Sequence, residues 1–248
     1  MPILGGRFAF HILRAIAPVE PSHMDGSAYS HRSKLETLFG RDLWDQIVGK
    51  TVVDFGCGQG TEAIALARKG ARKVYGIDIS DRWLSLASME AKRAQCENVI
   101  FAKQADELAD VILSVDAFEH YADPTNILAT MAKLLKANGV VLASFGPTWY
   151  HPLGGHLFSI FPWAHLIFSE KELCRWRSRF KTDGAQHFAE VEGGLNQMTI
   201  GRFERIVSQS PLRLESLEAL PIRRVRLLHN RWTRELFTAV VRCRLVLR

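Results

Sequence analysis

Val52-Val53-Asp54-Phe55-Gly56-Cys57-Gly58-Gln59-Gly60 is an apolar run that ends on an acid and then on three glycines at alternate positions. Together with Thr51, the apolar residues predict a short buried strand over 51–55. Residues 61–69 carry a helical pattern that Gly70 stops. The unit is therefore strand, glycine loop, helix. Glycines at that junction let the backbone approach a ligand closely, and the helix start behind them favours a planar or anionic group. The spacing is G-x-G-x-G, whereas a dinucleotide-binding turn is G-x-G-x-x-G. Asp54, two places before the first glycine, would repel a pyrophosphate and attract a cationic amino group.

Outward from this loop, strands and helices alternate. Residues 73–79 read as a second strand with Asp78 near its end, and Ser80 is placed to cap a helix over 81–95. Residues 98–103 and 111–115 read as the third and fourth strands. Asp123-Pro124 opens a helix to 135, and Asn138-Gly139 is expected to end it before a fifth strand at 140–145. Such alternation predicts an α/β, doubly wound, mostly parallel sheet with ligands at the carboxyl ends of its strands. Upstream, residues 33–48 suggest two short helices broken at Gly40. At Gly146-Pro147 the alternation stops, and a stretch rich in Gly, Pro, Trp, His and Phe runs to about 169, as an insertion over the ligand-binding face would. A helix at 170–180, a polar loop to 197 and a helix at 199–208 follow. Two closing strands at 212–220 and 237–247 come last, the second alternating Val241, Cys243, Leu245 and Leu247. The chain thus divides into an N-terminal helical segment (1–42) and one domain (43–248). That domain comprises a ligand-binding core (43–146), a lid (147–198) and a closing helix and strands (199–248).

Composition excludes several classes. With 47% hydrophobic and 23% charged residues among 248, the chain has no disorder signature. Its four cysteines lie far apart, which suggests neither a zinc knuckle nor a disulfide framework and fits a cytoplasmic location. Arg7, His11 and Arg14 interrupt the apolar start, so no signal peptide is expected, and no apolar stretch reaches the roughly 18 residues of a membrane span. The net charge of +6 sits at the end: residues 200–248 hold eleven Arg against four Glu. Such a tail either meets phosphates or an anionic membrane surface, or is a solvated face with internal ion pairs.

From Leu43 to Phe145 the sequence resembles class I S-adenosylmethionine-dependent methyltransferases, with the closing strands consistent. The resemblance implies a seven-stranded Rossmann-like sheet with a final antiparallel strand, and S-adenosylmethionine as cofactor. It implies that Asp54, Gly56, Gly58 and Gly60 face the methionine end and that Asp78 bonds the ribose hydroxyls. Asp106 would contact the adenine amino group, and Ile79 and Asp116 complete the expected cofactor set.

Methyl transfer from a sulfonium is an in-line displacement, so the protein supplies alignment and sometimes a base. The run Ser114-Val115-Asp116-Ala117-Phe118-Glu119-His120-Tyr121-Ala122-Asp123-Pro124 is similar to the same place in quinone-biosynthesis O-methyltransferases. Some of those bind a divalent cation with two acids and a histidine at the positions of Asp116, Glu119 and His120. Here the first acid is Asp, one methylene shorter than their Glu, and no metal is assigned. His120, with Glu119, is a candidate base or substrate orienter, or else a helix-entry residue making structural hydrogen bonds. His151 is a second candidate base with His156 behind it, and their spacing of five is no recognised metal signature. The aromatic block from Leu157 to Phe168 points to a small hydrophobic or aromatic methyl acceptor, with O-methylation favoured. Combined with the apolar start and the Arg-rich tail, it suggests weak peripheral membrane contact. A nucleic-acid methyltransferase is the alternative, against which stands the lack of an Asn-Pro-Pro-Tyr-type motif, so no nucleic-acid partner is expected. A non-catalytic cofactor-binding subunit and a dinucleotide oxidoreductase are the remaining readings.

Overall fold

The computed structural model describes residues 3–16, 33–191 and 193–248; the expected helical segment at the N-terminus falls partly on 17–32, outside the described residues. A seven-stranded sheet runs β3-β2-β1-β4-β5-β7-β6. Its strands are β1 (Thr51–Phe55), β2 (Lys73–Ile77), β3 (Val99–Ala102), β4 (Ala109–Val115), β5 (Leu135–Phe145), β6 (Leu212–Pro221) and β7 (Thr238–Leu247). Strands β1 to β5 pair in parallel, and β7 runs antiparallel to both β5 and β6. The late pair therefore contributes one reversed strand, and β6 points the same way as β1.

The strands read as unbroken apolar runs because helices cover both faces of the sheet. Alternate residues divide between two cores. Val52, Val74 and Leu113 face α2 (Lys34–Phe39), α3 (Leu43–Ile47) and α4 (Thr61–Arg68). Val53, Tyr75 and Ile112 share the other core with residues of α6 (Pro124–Leu134) and α9 (Ile200–Ser208); α5 (Asp81–Arg93) packs beside β3. Helix starts follow their caps: Ser80 accepts from the Trp83 amide, Asp123 from Thr125 and Asn126 ahead of Pro124, and Thr199 from Arg202.

Asn138-Gly139 does not end a helix. Helix α6 stops at Leu134, and Leu135 already pairs with Ala109; the register then shifts so that Val111 meets Val140. The extra residues form an irregularity at the start of β5, and Gly139 lies where a Cβ would stand 2.8 Å from the Leu135 side chain.

Beyond β5 lie two short helices, α7 (Ala164–Ile167) and α8 (Glu170–Arg177). They form a third core with the N-terminal helix α1 (Gly6–Ile16): Ala9 and Leu13 pack with Phe158, Phe168, Leu173, Trp176 and Phe188, and Leu4 bridges to Phe168. Much of the aromatic block is thus buried against α1. The β6 to β7 connection, with α10 (Arg234–Phe237), leaves the sheet at the same edge as the glycine loop, because β6 is parallel to β1. Among the described residues no helix is long and apolar enough to cross a membrane.

Candidate active site

The glycine loop turns at the carboxyl end of β1 on left-handed backbone: Gly56, Gly58 and Gly60 have φ of +82°, +49° and +78°. Two of them are also fixed by space. A Cβ on Gly56 would lie 3.0 Å from the Tyr121 hydroxyl, and one on Gly60 would lie 2.6 Å from the Phe101 ring. Gly58 differs, because a Cβ there would meet nothing within 4 Å. That opening is where a ligand can come against bare backbone. The Gly58 amide donates to Asp78 Oδ2 at 3.0 Å and the Ser80 amide to Oδ1 at 2.9 Å, so one carboxylate ties the loop to the end of β2. Ile79 beside it is 93% exposed, and Asp106 is exposed in the loop after β3.

Asp54 is buried at the end of β1. It accepts from the Ala63 amide in the first turn of α4, and its Oδ2 has no partner. Burial, followed by the nearby charge of Glu62, pushes its carboxyl up to about 8, while Lys34 pulls it down. An orphaned acid oxygen beside an open glycine is what an incoming ammonium group requires. Lys34, at the start of α2, brings its Nζ to 2.9 Å from Asp116 Oδ2 and 3.9 Å from Glu62 Oε1. One cation therefore stands among Asp54, Glu62 and Asp116. These groups fit S-adenosylmethionine: acids for the amino group, Asp78 for hydroxyls, and bare backbone for close approach. Lys34 has no motif around it, and sequence reasoning did not find it.

Asp116 has φ +49°, and the chain then turns into α6. Ser144 Oγ donates to its Oδ1 at 3.2 Å. Glu119 points away from it: Oε1 accepts from the Gly146 amide at 3.0 Å, and buried Oε2 has no partner. Burial, with the charge of Asp116 second, pushes the Glu119 carboxyl up to about 8. His120 Nδ1 lies 2.8 Å from the Gly194 carbonyl oxygen and so donates to it, which in the neutral ring makes Nε2 the nitrogen with the lone pair. The three side chains that would match a cation site are thus turned to Lys34, to Gly146 and to Gly194. They do not fit a common metal, and the described residues contain no group of three ligands that does.

The lid brings a different histidine to His120 from the one its sequence favoured. His151 Nδ1 accepts from the Leu153 amide at 2.9 Å within its own turn, and burial lowers its pKa to about 4. His156 packs edge-on against the His120 ring at 5.3 Å, its Nε2 buried without a partner and its pKa lowered by burial to about 3. Nearby, Asn196 Nδ2 donates to the carbonyls of Phe118 (2.6 Å) and Tyr121 (2.7 Å), fixing the lid to the turn that carries Glu119 and His120. The Tyr121 hydroxyl donates to the Phe55 carbonyl at 2.9 Å and so joins that turn to β1.

Residues 25–194 match the family model of a methyltransferase domain. Over 143 residues the chain is 30% identical to a ubiquinone biosynthesis O-methyltransferase of Neisseria meningitidis, covering 54% of this chain and 53% of that protein. Over 114 residues it is 39% identical to a ribosomal protein L11 methyltransferase of Photobacterium profundum, covering 45% of this chain and 37% of that one. The chain spans about half the length of the curated relatives it matches. Among solved structures it is similar to a magnesium protoporphyrin IX methyltransferase from Synechocystis with S-adenosylhomocysteine bound, with TM-score 0.56 and 17% identity over 98% of this chain and 95% of that one. A S-adenosylmethionine-dependent methyltransferase from Aquifex aeolicus gives 0.51 and 15%, over 90% and 94%.

Proposed function

The chain belongs to the methyltransferase-domain family, and on that premise we propose that it moves the methyl group of S-adenosylmethionine onto a hydroxyl oxygen of a small hydrophobic or aromatic acceptor. The observation that carries this reading is the β4 to α6 turn. It presents Asp116 to the Lys34-centred acid ring, and four residues on it presents His120 with a free Nε2 lone pair. In this reading one turn carries a residue of the cofactor side and a residue of the acceptor side. The O-methyltransferase relatives support oxygen as the target.

Asp54, Gly56, Gly58, Gly60, Asp78, Ile79, Asp106 and Asp116 are the residues to hold the cofactor. When bound, it supplies a methyl group on a sulfonium, which the acceptor oxygen takes in a single displacement that leaves a thioether. Lys34 neutralises the acids in the cofactor-free chain and yields Asp116 to the ammonium. His120 Nε2 receives the hydroxyl proton, and the Gly194 carbonyl stabilises the imidazolium that results. Glu119, neutral near pH 7, anchors the fifth-strand loop through Gly146 and does not serve as the base. His151 and His156 line the lid as neutral rings, which keeps that side of the cleft suited to an apolar acceptor.

Labelled S-adenosylmethionine with a metabolite extract, followed by mass spectrometry, tests the acceptor: new methyl groups belong on oxygen of apolar compounds. His120→Gln should slow single-turnover transfer by about 10²-fold or more with S-adenosylhomocysteine affinity unchanged. An unaltered rate removes His120 from the chemistry.

A further inference from the structure

The β6 to β7 connection carries a surface to which the proposed methyl transfer gives no role. Residues 219–234 contain five arginines and no acid. Arg234 pairs with Glu204, whereas Arg223, Arg224, Arg226 and Arg231 are exposed and have no ion pair among the described residues. Between them Leu227 is 99% exposed, Trp232 79% and Leu228 55%. Arg231 stacks its guanidinium 4.4 Å from the Trp232 ring centre.

This display is held firmly. Asn230 Oδ1 accepts from the Trp232 amide at 2.8 Å, and His229 Nε2 lies 2.9 Å from Thr238 Oγ1. Glu235 accepts from the Ile200 and Gly201 amides at the start of α9, and Thr148 Oγ1 donates to its carbonyl at 3.3 Å. The same connection therefore clamps the lid loop, where Tyr150 is 43% and Leu153 40% exposed. All of these lie on the edge of the sheet that carries the glycine loop, and the connection lies beyond the family-model match, which ends at 194.

We propose that Arg223–Leu228 and Trp232 form a docking surface for an anionic lipid bilayer, with the candidate active site facing the membrane. Unpaired guanidiniums match lipid phosphates bidentately, and an exposed indole sits at headgroup depth. Leucines held out in water decide between polyanions. A bilayer gives them an apolar phase a few ångströms below its phosphates, and a nucleic acid does not. A bilayer is also where a hydrophobic acceptor concentrates, although the surface itself requires no particular acceptor.

Vesicle co-sedimentation of the whole chain tests this, with phosphatidylcholine alone and with phosphatidylglycerol added. Binding is expected only with the anionic lipid and should fall as salt rises. The triple variant R223Q/R224Q/R226Q should lose about a hundredfold in partition, at about fivefold per arginine. L227S/W232S should also weaken binding, and brominated lipid should quench a Trp emission component that is missing in Trp232→Phe. S-adenosylhomocysteine affinity measured by calorimetry should be the same in every variant, which separates lost docking from lost folding. Vesicle binding that is absent, or that all the variants retain, overturns the proposal. So does a single-stranded RNA that binds more tightly than the vesicles and depends on the same arginines.

Discussion

Replacing Asp54 by Asn examines the cofactor side where its electrostatics are most exposed to measurement. With its carboxyl at about 8, only about a tenth of Asp54 is ionised near pH 7 in the cofactor-free chain. If the ionised form holds the ammonium, binding must expel the proton. Between about pH 5.5 and about pH 7 the wild-type dissociation constant should fall about thirtyfold, nearly tenfold per unit, with close to one proton released per cofactor bound. Calorimetry with S-adenosylhomocysteine in buffers of different ionisation enthalpy reads both quantities. In Asp54→Asn the slope and the proton release should vanish. The affinity deficit should widen with pH towards ten- to a hundredfold, the worth of a charge-assisted hydrogen bond at about 1.5–3 kcal/mol. The variant should melt no lower than wild type near pH 7, because burying a carboxyl that resists ionisation destabilises the fold. A flat wild-type profile without proton release would refute the reasoning, and an unchanged slope in the variant would move the titrating group elsewhere in the ring.

Lys34→Met removes the cation that lowers the Asp54 pKa, so the pH dependence of cofactor binding should shift to higher pH, measured by the same titration. Gly60→Ala sets a Cβ 2.6 Å from Phe101 and 2.8 Å from Ala87 at φ +78°, and should lower the melting temperature by about 5–15 °C. Gly58→Ala, with open space at its Cβ, should melt within about 5 °C of wild type yet bind S-adenosylhomocysteine at least about tenfold more weakly. Glu119 has a folded pKa raised to about 8, so it takes stability away as pH rises from about 4.5 to about 8. Glu119→Gln should match wild type near pH 4 and exceed it near pH 8 by on the order of a few kcal/mol, read by denaturant unfolding.

Most of the sheet was legible because each signal is local. β1 and β4 are apolar runs buried along nearly their whole length, and the caps at Ser80, Asp123 and Thr199 stand directly before the helices they start. The start of β5 was not, since Asn138-Gly139 serves a helix stop and a strand irregularity equally well. What decides between them is the pairing of Leu135 with Ala109, a contact between distant positions. The acids were readable for the same reason as the strands: Asp54 is in β1, and Asp78 and Asp116 follow closely on β2 and β4. Lys34 reaches them only through the packing of α2, which no spacing in the sequence encodes.

The lid histidines show where local reading fails on chemistry as well as on structure. His151 and His156 lie five apart on one loop, and the preference for His151 rests on nothing that fixes which ring reaches His120. The turn that draws the Leu153 amide onto His151 Nδ1 and the left-handed backbone of His156 at φ +50° place the second ring, and not the first, against His120. The pairing has a consequence for the proton's path. His156 is held neutral by burial, so it adds no positive charge beside His120, and a proton arriving on His120 Nε2 meets a neutral ring and a carbonyl-bound Nδ1. Asp116 is the hinge between the two halves. Lys34 matches its charge at 2.9 Å, and Glu119 holds its proton near pH 7 chiefly because it is buried, with the Asp116 charge second.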